Sequence, residues 1–178
     1  MKARCLYSGI DCYDLTIDSA TEVNLESTEE KRNAIYVRGD EGGTVAGTAN
    51  IKNSKLVLKS GYPAFYAEDG IEISGGSVEA ESISDAGIFT RGELIITDAD
   101  IDARGCFYGI GSNGAMEMTG GKLKAVGQNN GVYIRNSLTL NNVEVNAECE
   151  NWVTISSMGP MVLNGGKIKA VSYTHLTL

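Results

Sequence analysis

Apolar residues recur in pairs two positions apart along most of the chain, and the pairs themselves return at a nearly constant interval. Leu15/Ile17, Ile71/Ile73, Leu94/Ile96, Met116/Met118, Leu138/Leu140 and Met161/Leu163 each read as a short strand with one inward face. A turn rich in Gly, Asn and Asp follows, as at Gly75-Gly76, Gly120-Gly121, Asn141-Asn142 and Gly165-Gly166. Those residues tolerate the positive φ that a sharp corner needs. A second strand then points Val78/Ala80, Ile101/Ala103, Leu123/Ala125, Val145/Ala147 and Ile168/Ala170 inward. A large residue alternating with a small one suits a narrow interior filled without strain. A third strand is predicted at Ile35/Val37, Phe65/Ala67, Ile88/Thr90, Val132/Ile134 and Val153/Ile155. No window spaces its apolar residues at about 3.6, so no helix is predicted.

The three-strand phrase is a repeat. Its core phrase, as in ISGGSVEA, recurs from Ile51, Ile73, Ile96, Met118, Leu140 and Leu163, in steps of 22, 23, 22, 22 and 23 residues. A looser copy starts at Ile17, 34 residues before Ile51, with the polar stretches 26–32 and 39–47 as candidate insertions. So short a period leaves no room for a helix and its loops. It suits one coil of a parallel β-helix, whose neighbouring coils complete each other's hydrogen bonds. The prediction is an all-β, single-stranded parallel solenoid of about seven coils, three short strands per coil. It occupies residues 1–170, regular from about residue 49 and looser over 1–48. Stacked at about 4.8 Å per coil, it would be on the order of 30 Å tall. Neither end reads as a polar cap, so a slice of a longer rod is expected.

Composition narrows the function without naming it. The 178 residues are 42% apolar, which excludes a disordered chain, and the formal net charge of −8 argues against nucleic acid as a partner. No apolar run is long enough to cross a bilayer, so no membrane insertion is expected, and Met1 to Arg4 lead into no signal-peptide stretch. Residues 171–178 read VSYTHLTL, which resembles the in-frame translation of a transposon adapter used in DNA library preparation. On that reading the tail is non-native, the authentic frame ends near Ala170, and Met1 is internal to a longer protein. His175, the sole histidine, is then set aside, and histidine-dependent mechanisms with it.

In a stacked coil, equivalent outward positions form columns. On the second strand one column runs Lys55, Ser77, Asp100, Lys122, Glu144, Lys167 and another Val57, Glu79, Asp102, Lys124, Asn146, Lys169. Alternating signs read first as a solvated salt ladder. Glu79 beside Asp102, with Asp98 and Asp100 near by, is a weaker candidate for a Ca²⁺ site; no other cofactor is expected. On the third strand the outward residues are read as Tyr36/Arg38, Tyr66/Glu68, Phe89/Arg91, Gly111/Asn113, Tyr133/Arg135 and Thr154/Ser156. Trp152 is placed on the same side, and Tyr108 as a filler of the gap at Gly111. Aromatic rings offer apolar faces to sugar C–H groups, and Arg grips a carboxylate with two parallel hydrogen bonds. Tyr36, Arg38, Tyr66, Phe89, Arg91, Tyr133, Arg135 and Trp152 are therefore the candidate binding residues for a linear polysaccharide, acidic ones included. The competing reading is that aromatics are good strand formers on which Arg stacks. Cys5, Cys12, Cys106 and Cys149 lack metal-ligand spacing and read as small hydrophobes, and the adhesion-like string Arg38-Gly39-Asp40 is too short to carry weight.

The ISGGSVEA-type repeat, with its GIF and GVY strands, resembles right-handed parallel β-helix domains of secreted bacterial surface proteins. Some of that group are described as carbohydrate-binding, including polygalacturonate binders. The similarity covers most of residues 15–170 and implies a right-handed coil, although the residues themselves leave handedness open. It also implies an exported, surface-associated protein. Three functions follow: a non-enzymatic polysaccharide-binding module, a stiff stalk or adhesin spacer, and, as a minority reading, an enzyme of the pectin lyase or polygalacturonase type. The enzyme needs carboxylates and a basic group on one substrate, yet the acidic cluster and the Arg column fall on different strands.

Overall fold

The computed structural model describes residues 2–5, 8–27, 31–40, 44 and 46–173. Within them the backbone is a parallel β-solenoid of about seven turns, and the described residues contain no helix. β1 (Lys2–Cys5) and β2 (Ile10–Cys12) form a partial coil. β3 (Leu15–Asp18), β4 (Val23–Ser27) and β5 (Ile35–Val37) complete the next. β6 (Thr48–Ser60) with β7 (Phe65–Ala67), and β8 (Gly70–Ser82) with β9 (Ile88–Thr90), make the second and third complete coils. The fourth holds β10 (Glu93–Thr97), β11 (Asp100–Gly105) and β12 (Tyr108–Ser112); the fifth holds β13 (Met116–Thr119), β14 (Lys122–Gly127) and β15 (Asn130–Ile134). The sixth holds β16 (Leu138–Asn141), β17 (Glu144–Cys149) and β18 (Ile155–Ser157), and β19 (Met161–Asn164) and β20 (Lys167–Ser172) follow.

Every strand pair is parallel, and the register is the one the repeat predicts. Ile17, Ile51, Ile73, Ile96, Met118, Leu140 and Leu163 lie one above another. The 34-residue step from Ile17 to Ile51 is thus one coil carrying longer loops; residues 28–30, 41–43 and 45 of those loops lie outside the described set. Ile51, Ile73, Ile96, Met118 and Leu140 are buried, and each such side chain contributes about 1.5–3 kcal/mol of transfer free energy. Above the second-strand column of Val78, Ile101, Leu123 and Val145 runs the small column Ala80, Ala103, Ala125 and Ala147. Together they keep the interior narrow. Two buried hydroxyls bond to one residue: Ser112 Oγ donates to the Gly92 carbonyl at 2.7 Å, and Thr90 Oγ1 accepts from the Gly92 amide at 3.1 Å, whereas the buried Ser27 Oγ has no partner among the described residues.

Three features differ from the sequence reading. First, β6 and β8 run through the corner between first and second strands without a break, each 13 residues long. The first two faces therefore belong to one thirteen-stranded sheet, and the third face is a separate seven-stranded one. Second, the third strand of the sixth coil is two residues further on. Val132 pairs with Ile155, and Ile134 with Ser157; Thr154 is buried rather than outward, and Val153 stands in the preceding corner, about half exposed. The corner of this coil holds one residue more than that of the fifth, and the alternation of Val153 with Ile155 hid it. Third, β20 continues through Val171 and Ser172, paired with Glu148 and Cys149. The first two residues of the VSYTHLTL string thus extend the ladder, while His175 and the rest of 174–178 lie outside the described residues.

Candidate functional site

The third face carries an aromatic ladder. Tyr36 pairs with Tyr66, Tyr66 with Phe89, Phe89 with Gly111 and Gly111 with Tyr133. Ring centroids are 5.4 Å apart for Tyr36–Tyr66, tilted at 54°, and 6.1 Å for Tyr66–Phe89, stacked at 9°. Where the column has Gly111, Tyr108 supplies the ring, 4.8 Å from Tyr133 and 11° from parallel. A Cβ at Gly111 would stand 2.8 Å from Phe89 Cδ2 and 3.4 Å from Tyr108 Cδ2, so only glycine lets both rings close over it. The rings are half-buried, and burial raises the phenol pKa of Tyr66 and Tyr108. Tyr36 is raised by burial first and then by its hydrogen bond to Glu68.

Beside the ladder runs a charged column. Arg38 grips Asp11 through both Nε (2.8 Å) and Nη2 and lies over the Tyr36 ring, 5.3 Å from its centroid. Asp11 raises the Arg38 pKa further. Glu68 accepts from Tyr36 Oη at 3.1 Å and from the Gly39 amide at 3.0 Å, so the Arg38-Gly39-Asp40 string is engaged within the fold. Arg91 and Arg135 are exposed and have no carboxylate partner among the described residues. Ladder and column line a cleft of about 690 Å³ that takes in Tyr36, Arg38, Tyr66, Phe89, Arg91 and Tyr108. Lys31, Arg32, Tyr62 and Asp85 stand along its side. Burial raises the Asp85 carboxyl above its ordinary value, against the Ala86 amide that donates to it.

Seven of the eight residues singled out for binding thus lie in one register on the third face: Tyr36, Arg38, Tyr66, Phe89, Arg91, Tyr133 and Arg135. Trp152 does not. It sits in the corner before β18, three residues ahead of Ile155 and 71% exposed; Ser156, not Thr154, pairs with Tyr133. Counting back equally from Phe65 and Ile110 reaches Tyr62 and Phe107, also exposed and at the same corner of other coils. Sequence reading missed both, because strand alternation stops at the corners.

The acidic residues of the second face do not gather. Asp102 is held by Lys124 Nζ and by Arg104 Nε, each at 3.1 Å, while Lys55 pairs with Glu22 at 3.0 Å and Lys59 with Glu81 at 3.2 Å. Glu79 is next to Asp102 in register, but Asp100 lies between Ser77 and Lys122, and Asp98 occupies the corner with φ of 48°. Among the described residues no three His, Cys, Asp or Glu side chains come together as a metal site, so the Glu79/Asp98/Asp100/Asp102 candidate for Ca²⁺ is not assembled. The second face carries scattered exposed ion pairs, of which Lys124–Asp102 alone joins two members of a predicted column among the described residues, with a shallow groove of about 390 Å³ beside them. Cys12 packs against the core and Cys149 is buried beside Thr154, as small hydrophobes do. Cys106 is half-exposed, 3.4 Å from Gln128 Oε1.

These features define the chain as a parallel β-solenoid with a cleft on its third face. Compared with protein-family models, with curated proteins and with solved structures, the chain matches none.

Proposed function

We propose that the solenoid is a non-enzymatic module that holds a linear polysaccharide along its third face, in an exported, cell-surface setting. The observation that carries this reading is the cleft of about 690 Å³, which joins an aromatic floor to arginines on a repeating, linear surface. A linear repeating ligand meets equivalent groups at equal intervals only on such a surface. Arg91, which lines the cleft, and Arg135, exposed beyond it on the same face, supply donors for sugar hydroxyls or carboxylates. The test is affinity electrophoresis through gels containing polygalacturonate, xylan or hydroxyethylcellulose. The double variant Arg91→Ala/Arg135→Ala is expected to lose roughly tenfold in retention with an unchanged melting temperature. Equal retention of variant and parent, or no retention in any gel, overturns the proposal.

One observation favours the stalk instead. The ladder rings spend their faces on each other, Tyr66 on Phe89 and Tyr108 on Tyr133, and Arg38 is spent on Asp11. Those contacts join coil to coil without any ligand, and a glycan panel with no hits would leave stiffness as the function.

A further inference from the structure

The ladder leaves the free ring faces elsewhere. Tyr62, Phe107 and Trp152 occupy the same corner, between the second and third strands, of the second, fourth and sixth coils. They are 45%, 48% and 71% exposed, and successive members are 45 residues apart. The coils between place Asp85 and Asn129 there. Counted back from the third strand, the three rings recur every second coil, a rail of about 9.6 Å period along the rod axis in which the corner of Trp152 holds one residue more than those of Tyr62 and Phe107. Tyr62 also lines the cleft, so the rail borders the face described above. Three exposed aromatics at one interval serve no core.

We infer that this rail is the sugar-stacking platform of the module, and that its ligand is an uncharged, extended β-1,4-linked glycan; the inference rests on the polysaccharide-binding reading. In such a chain each ring is turned over relative to the last, so one face returns every second sugar, at an advance comparable to two coils. Three rings then meet alternate sugars of a hexasaccharide by C–H contact with their π faces. A strongly coiled chain presents no matching period. Asp85 and Glu150, close to Phe107 and Trp152, and the net charge of −8 disfavour a polyanion along the rail, whose cations Lys31 and Arg32 stand only at its Tyr62 end.

Trp152 is the one tryptophan of the chain, so its fluorescence reports on the rail directly. Titration of the full chain with cellohexaose is expected to shift Trp152 emission to the blue and shield it from acrylamide. Cellobiose, too short to reach two rings, should bind at least about tenfold more weakly. Phe107→Ala and Tyr62→Ala are each expected to weaken cellohexaose binding severalfold without changing the melting temperature. Unchanged emission, or affinity that neither variant alters, overturns the inference. If the arginine-dependent retention on polygalacturonate persists in either of those cases, the cleft stands and only the rail falls. If cellohexaose binds through the rail but Arg91→Ala/Arg135→Ala has no effect, the rail stands and the arginine edge falls. If no glycan is bound at all, both fall.

Discussion

At the scale of single residues, the corner between first and second strands decides whether a coil can close. Ser19, Asn53, Gly75, Asp98, Gly120, Asn142 and Gly165 stack in one column and all have positive φ, between 45° and 68°. The coils alternate: Asn53, Asp98 and Asn142 are followed by buried Ser54, Ala99 and Val143, whereas Gly75, Gly120 and Gly165 are followed by a second glycine, also at positive φ. The reason is steric. The side-chain oxygens of Asn53, Asp98 and Asn142 fill the space where Gly75, Gly120 and Gly165 would carry a Cβ, so each of these three corners is followed by a bare one; Ser19, which turns its hydroxyl to Asp18, leaves room for Asn53. At Gly121, with φ of 72°, a Cβ would overlap the Ala99 carbonyl oxygen. Gly121→Ala is therefore expected to destabilise by at least about 1–2 kcal/mol in urea unfolding. Asp98→Asn, which keeps a residue at home in the left-handed region, should stay within about 0.5 kcal/mol. Equal behaviour of the two variants would refute the steric account.

At the scale of elements, neighbouring strands are joined by more than backbone bonds. The Tyr108–Tyr133 stack links β12 to β15 although the two residues are not opposite each other in register; Tyr133 is opposite Gly111. A double-mutant cycle on Tyr108→Ala and Tyr133→Ala should return a coupling of about 0.5–1.5 kcal/mol, and a coupling near zero would mean the rings merely lie close. The same elements show what the sequence made legible. Inward pairs such as Leu94/Ile96 and Ile101/Ala103 announce themselves because alternation has a period of two and the coil a period of 22 or 23, so the fold and most of its register could be read directly. Tyr108 as the stand-in at Gly111 was also readable, since a gap in a column asks for a filler. Trp152 was misplaced, because an extra residue in the sixth-coil corner shifts phase where no apolar alternation reports it. Tyr62 and Phe107 were invisible for the same reason: their equivalence exists only after the strands on both sides are registered. The acidic residues read only as a weaker candidate, because Asp98 falls in the turn before Asp100 and Asp102, and in the fold Lys124 and Arg104 hold Asp102.

At the scale of the whole molecule, a solenoid's stability is a sum over coils and the interfaces between adjacent coils, so protection against opening should vary along the axis. A middle coil has neighbours on both sides: β13 lies between β10 and β16, and β14 between β11 and β17. Among the described residues β19 and β20 pair on one side only, with β16 and β17. The consequence is visible in burial: Met161, Leu163 and Ile168 are 42%, 47% and 40% exposed, where their counterparts Leu138, Leu140 and Val145 are buried. Among the described residues β1, β2 and β3 likewise pair on one side only, so amide hydrogen exchange on the 178-residue chain is expected to be fast at both ends, in β1 to β3 and in β19 and β20, and slowest in β10 to β14. A cavity-forming Leu123→Ala, costing about 2–5 kcal/mol, should accelerate exchange in β11, β14 and β17 far more than in β3. Uniform protection along the rod, or a loss in β3 as large as in β14, would show one all-or-none unit instead. The distinction bears on function as well: a glycan spanning several coils would bind coils whose openings are independent, and its binding should slow exchange on the third face of every coil it crosses.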